Sequence, residues 1–109
     1  MAFELEDTQE FEYSPLEYVI YLGAQGNHVL FDNARIREAF SKREEDLADL
    51  GSTLVSEVRE AINRVFSIPE FEAKKQYIAS LPRDVQDVLI FLYFQMIEKT
   101  MLVNQSRQH

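Results

Sequence analysis

Residues 80–103, SLPRDVQDVLIFLYFQMIEKTMLV, decide how this chain folds. Pro82 suits the first turn of a helix, where a missing N–H costs no helical hydrogen bond. Ser80 is positioned to cap it, and Asp84 and Asp87 favour the positive end of the helix dipole. At 100° per residue the apolar positions beyond them fall into two stripes. One is Val85, Leu89, Leu92, Met96 and Val103; the other is Ile90, Phe94, Ile97 and Met101. Only a narrow strip, Asp84, Asp87, Gln95 and Glu98, is polar, and Phe91 and Leu102 interrupt it. A helix with two apolar stripes is either central to its domain or also faces a partner. The uninterrupted apolar run, residues 88–94, is far short of the ~20 residues a membrane span needs.

The rest of the chain reads as cover for this helix. With three Gly, three Pro and few β-branched runs, the 109 residues predict an all-α fold. The expected architecture is a small bundle of four to five helices around a hydrophobic C-terminal helix at about residues 82–103. The expected organisation is an acidic arm at 1–13, one helical domain at 14–104 and a polar tail at 105–109.

Taken in order, Ser14-Pro15-Leu16-Glu17 opens a short helix with a capping residue, a first-turn proline and an early acid. Leu16, Val19, Ile20 and Leu22 form its apolar face, and Gly23 is placed to end it in a left-handed conformation. The following loop, GAQGNHVLF, carries Val29, Leu30 and Phe31, too apolar to be left in water. Asp32 or Asn33 can cap the next helix. From Ile36 to Val65 apolar residues recur at spacings of three and four, in phase across Gly51. A straight 33–66 helix would run about 50 Å, long for a compact domain, so a break or bend near Gly51 is expected. Ser67-Ile68-Pro69 starts another helix, with Phe71, Tyr77, Ile78 and Leu81 inward and Lys74 and Lys75 toward water.

Charge and motifs narrow the function. Residues 1–34 hold seven acids and no Lys or Arg, while residues 35–109 hold twelve acids and eleven bases. The acid-rich first third and the lack of a basic stripe argue against nucleic-acid binding. The absence of cysteine removes disulfides, thiolate metal sites and cysteine nucleophiles. No charged segment followed by an apolar one opens the sequence, which sets a cytoplasmic expectation. His28 has only Asp32 near it in sequence, too little for catalysis or a metal. The carboxylates of residues 44–49, and Glu57 and Glu60, have the spacing of solvated helix faces, with Glu38–Lys42 and Glu60–Arg64 as expected ion pairs. No phosphate loop, calcium loop or hydrolase motif is present. No catalytic, cofactor-binding or metal residue is therefore expected.

Residues 79–94, opening Ala79-Ser80-Leu81-Pro82, resemble the first helix of the DNA-binding region 4 of bacterial sigma factors. The turn and basic recognition helix that carry that family's function do not follow; the sequence continues as helix through Val103. The resemblance therefore implies a shared way of starting a buried helix.

The function expected is a non-enzymatic helical protein–protein interaction module, an adaptor, regulator or chaperone, self-associating as a homodimer and without membrane or nucleic-acid partners. Its candidate contact residues are Phe3, Leu5, Phe11 and Tyr13 in the arm and Ile90, Phe94, Ile97 and Met101 on the second stripe. The alternative is an acidic inhibitor, such as an antitoxin, an immunity protein or a nucleic-acid mimic, that covers a basic partner surface.

Overall fold

The fold is all-α, as its sequence requires. A computed structural model describes residues 15–107, and the side chains of residues 15–103. Among the described residues there are six helices and no strand: α1 (Pro15–Ala24), α2 (Asn33–Ala39), α3 (Glu44–Thr53), α4 (Val55–Val65), α5 (Phe71–Ala79) and α6 (Arg83–Arg107). α6 is the hub. α1, α2, α3 and α4 all lean against it, and α5 packs on α4. Val88 and Ile90 lie on different sides of α6 and are both completely buried, so its first half is covered all round. Leu30 and Phe31 plug the core as their apolarity demands. Burying side chains of this size contributes about 1.5–3 kcal/mol each, and they make one continuous core with Val19, Ala39, Val58 and Val65.

Several local expectations are corrected. The 33–66 stretch is three helices, not one or two. The first interruption, at residues 40–43, was hidden by an apolar spacing that continues across it. There the Ser41 hydroxyl donates to the Glu38 carbonyl at 2.7 Å, a local bond that competes with helix continuation. Arg43 then turns extended, with φ −73° and ψ 151°, before α3 begins. The second interruption is at Leu54 rather than Gly51, with φ −105° and ψ 26°. The backbone bonds Leu54 N–H to Leu50 and Val58 N–H to Leu54 bridge it, so it is a bend. Immediately before it the Thr53 hydroxyl donates to the Asp49 carbonyl at 3.1 Å, a back-bond that bends helices.

The capping expectations shift as well. Ser80 closes α5, donating to the Tyr77 carbonyl at 2.6 Å, and α6 begins at Arg83, just after Pro82. Asp32 occupies the N-cap position of α2 without a side-chain cap bond; it binds the Lys75 ammonium at 2.7 Å instead. α5 begins at Phe71 with Glu70 at its N-cap, two residues after Pro69. Lys74 does not face water. It is buried, and its ammonium donates to the Val65 carbonyl at 2.9 Å and to the Ile68 carbonyl, capping the C-terminus of α4.

Two glycines play opposite parts. Gly23 is inside α1, and the left-handed residue is Gly26, with φ 90°. A Cβ on Gly23 would overlap the Tyr93 hydroxyl and stand 2.7 Å from Ile97 Cδ1; only glycine lets α1 and α6 approach this closely. A Cβ on Gly51 would meet Val88 Cγ1 at an ordinary 3.6 Å. Gly51→Ala is therefore expected to stabilise the fold by about 0.5–1 kcal/mol through helix propensity, and Gly23→Ala to destabilise it by about 1–3 kcal/mol through overpacking. Urea unfolding of the two variants checks the pair.

Candidate functional site

An apolar recess of about 400 Å³ lies between α1, the end of α4, α5 and α6. Leu16, Phe66 and Ile78 form its walls, and Leu92 and Met96 form its floor on α6. Gln95 and Lys99 bring polar groups to it, while the Tyr93 hydroxyl is engaged with His28. A broader recess of about 570 Å³ lies on the other side of the α4–α6 contact, between Val55, Arg59 and Phe91. Ile62, Leu92 and Gln95 border both. Coverage is thus incomplete at Leu92 and Met96, while Val85 and Leu89 of the same stripe are buried. Past the recess the same helix runs on with Met101, Leu102 and Val103 exposed to 46%, 59% and 44%.

The expected contact residues of the second stripe lie mostly inside the fold. Ile90 is completely buried and Ile97 nearly so, and Phe94 is half-buried, packed edge-on against Tyr93 and Phe40. The second stripe is thus core, and of it only Met101 is exposed. The sequence showed two stripes but not which of them α1 and α2 would cover. Phe3, Leu5, Phe11 and Tyr13 lie outside the described residues. Sequence reasoning did not single out half-buried Leu92 and Met96, or exposed Leu102 and Val103, as the less covered positions of α6. The available signal is that the apolar positions of this helix continue to Val103, past the buried Ile97.

The most polar cluster is a clamp at the start of α6. Asp87, read from sequence as part of a polar strip, is buried. Its carboxylate accepts hydrogen bonds from Arg35 Nη2 at 2.8 Å and Lys42 Nζ at 2.5 Å. Arg35 Nε donates to Gln86 Oε1 at 2.9 Å, and Gln86 Nε2 donates to the Leu81 carbonyl at 2.8 Å. Outside this centre, Glu38 accepts from Arg35 and Arg83, and Lys42 also reaches Asp84. Lys42 therefore pairs across to α6 and not with Glu38 along its own segment.

The charges follow from these contacts. Burial works against the Arg35 charge, but hydrogen bonds and Coulomb attraction from Asp87 and Glu38 outweigh it and hold its pKa above the usual value. The hydrogen bond from Lys42 to Asp87 raises the lysine's pKa. Hydrogen bonds from Arg35 and then Arg83 hold Glu38 below the ordinary carboxylate range. Glu38, held between two guanidinium groups, is a poor base, and the bonds to Asp87 clamp Arg35 and Lys42 onto the start of α6.

His28 is tied into the core edge. Its Nδ1 shares a 2.7 Å hydrogen bond with the Tyr93 hydroxyl, and its ring lies 5.0 Å from that of Phe94. Burial pushes the Tyr93 pKa from 10.0 up to about 12. Among the described residues no group of three His, Cys, Asp or Glu is arranged to hold a metal ion. No helix among them is long and apolar enough to cross a membrane. Comparison with known protein families, characterised proteins and solved structures finds no match to this chain.

Asp87→Ala leaves Arg35 and Lys42 facing a buried void, and is expected to cost about 3 kcal/mol; the exposed Asp84→Ala should stay within about 0.5 kcal/mol. Urea midpoints test the difference. Tyr93 is neutral in the fold, so its contribution is fully present below its unfolded pKa of 10.0 and is lost as pH rises toward about 12. Lys42, with a raised pKa, loses its contribution in the same direction. Stability is therefore expected to fall above pH ~10, with a shallower fall in Tyr93→Phe when urea midpoints are followed against pH.

Proposed function

We propose that this chain is a non-enzymatic helical protein–protein interaction module, an adaptor, regulator or chaperone, working through the first stripe of α6. The observation that carries this reading is the apolar recess over Leu92 and Met96, continued along the same helix by exposed Leu102 and Val103. Apolar surface left in water costs about 25 cal/mol per Å², and a contiguous open patch on a small domain is the mark of a docking site. Gln95 and Lys99 supply the recess with an amide and an ammonium, which orient a partner but form no acid–base pair or nucleophile–base pair. A cytoplasmic location, without membrane or nucleic-acid partners, goes with this reading.

The second reading, an acidic inhibitor of a basic partner, rests on the seven acids and no bases of residues 1–34. One experiment separates the two. The intact chain, Met96→Glu and a form lacking residues 1–13 are used to capture partners, this chain included, from native extract. Circular dichroism confirms each fold, and mass spectrometry quantifies capture. The module reading expects capture to be lost in Met96→Glu and kept in the truncated form. Capture that survives Met96→Glu contradicts it, and salt-sensitive capture lost on truncation supports the inhibitor.

A further inference from the structure

We infer that the recess between α1, α4, α5 and α6 is the docking place of the chain's own residues 11–13, so that it is occupied from within before a partner reaches it; the inference rests on the module reading above and gives that surface its regulation. Residues 1–14 lie outside the described ones, and three observations on the described side select them. The first is where they join. α1 begins at Pro15, and Leu16 is itself a wall of the recess. The chain therefore enters the domain at the rim of this recess. The broader recess beside α3 has no wall from α1. A segment tethered beside its site meets it at an effective concentration of about millimolar, which neither a second copy nor a foreign partner has.

The second observation is size. Along α6 the recess runs from Leu89 to Lys99, about 15 Å at 1.5 Å per residue. Phe11 stands five residues before Leu16, and five extended residues span about 17 Å. Phe11 and Tyr13 are thus within reach of the whole recess. Its volume of about 400 Å³ falls in the range of ~300–1,000 Å³ that holds a drug-sized molecule, which leaves room for two aromatic side chains.

The third is charge. Among the described residues that line the recess, Lys99 is the one with a charge, and it is exposed. It has no acidic partner among the described residues, and neither does Arg64, which lies over the Tyr77 ring beside the α5 wall. Residues 1–14 hold five acids and no Lys or Arg. In the run Glu10-Phe11-Glu12-Tyr13 the acids alternate with the rings. An extended backbone puts such rings on one side and the carboxylates on the other. The rings then enter the apolar recess while the carboxylates stay at its rim with Lys99. Charge of this kind selects the occupant more than it tightens the contact.

The test places an indole at the docking residue. The natural chain has no Trp, so Phe11→Trp in the full chain carries the only one. Its emission is expected at short wavelength, with acrylamide quenching several-fold weaker than after unfolding in urea, and unchanged on dilution through the micromolar range. Met96→Glu, added to the same chain, should move the emission to the red and restore quenching. Lys99→Glu, at an exposed position that leaves the core intact, should also raise quenching, with the difference narrowing at high salt. Circular dichroism confirms each fold, and if Met96→Glu fails to fold, Lys99→Glu decides. A solvated indole overturns the inference, as does a shielded one indifferent to both substitutions or one that loses its shielding on dilution. A solvated indole alongside Met96-dependent capture sinks this inference and leaves the module reading standing. A shielded indole with no Met96-dependent capture, even from a Phe11→Glu chain, does the reverse.

Discussion

A helix that is apolar around most of its circumference needs cover on more than one side, and α6 sets that condition for the whole chain. Its first half meets it within one molecule. α1 reaches it because Gly23 lets Tyr93 and Ile97 come close, and the loop after α1 adds Leu30 and Phe31. α2, α3 and α4 lay successive apolar positions on it, and the turns at residues 40–43 and at Leu54 let a long stripe follow one helix instead of running past it. The second half of α6 outlasts its neighbours. At that point the same apolarity that makes the core leaves a recess and a row of exposed aliphatic side chains.

Apolar contact alone leaves helices free to slide, and the buried Asp87 supplies the directional bonds. Arg35 and Lys42 converge on one carboxylate from the segment that contains the first turn, so α2 and the link to α3 are set against α6 by two charge-assisted bonds. Gln86 carries the network to the carbonyls at the end of α5. Lys74 does similar work at the other side by closing the C-terminus of α4. Each is a polar group whose partners are fully supplied, since no buried side-chain nitrogen or oxygen among the described residues lacks one. The clamp also separates the two parts of α6: polar order holds its beginning, and aliphatic surface occupies its end.

The all-α class, the central place of α6 and the plugging role of Leu30 and Phe31 were legible because they follow from local spacing and from side chains that water rejects. The turn at residues 40–43 was not, since the apolar period continues through Phe40 and Leu47 while the backbone turns, and only Ser41 hints at a competing local bond. Lys74 was misread as facing water, and Asp87 was read only as polar, because the partners that bury them are not local in sequence: the counterions of Asp87 come from segments dozens of residues away, and the acceptors of Lys74 are backbone carbonyls. The two stripes of α6 were visible, but which one the other helices would cover depends on tertiary contacts. Gly23, buried against Tyr93, brings α1 onto the second stripe, a consequence that no period in the sequence expresses.

The central claim is that one helix is core for its first half and open aliphatic surface at its end. Hydrogen exchange along α6, measured on the full chain, tests it most directly. The amides of Val88 to Ile97 are predicted to exchange slowly, because they open only with the whole fold. The amides of Lys99 to Val103 are predicted to exchange much faster. Exchange that is equally fast or equally slow along the two halves would contradict the account.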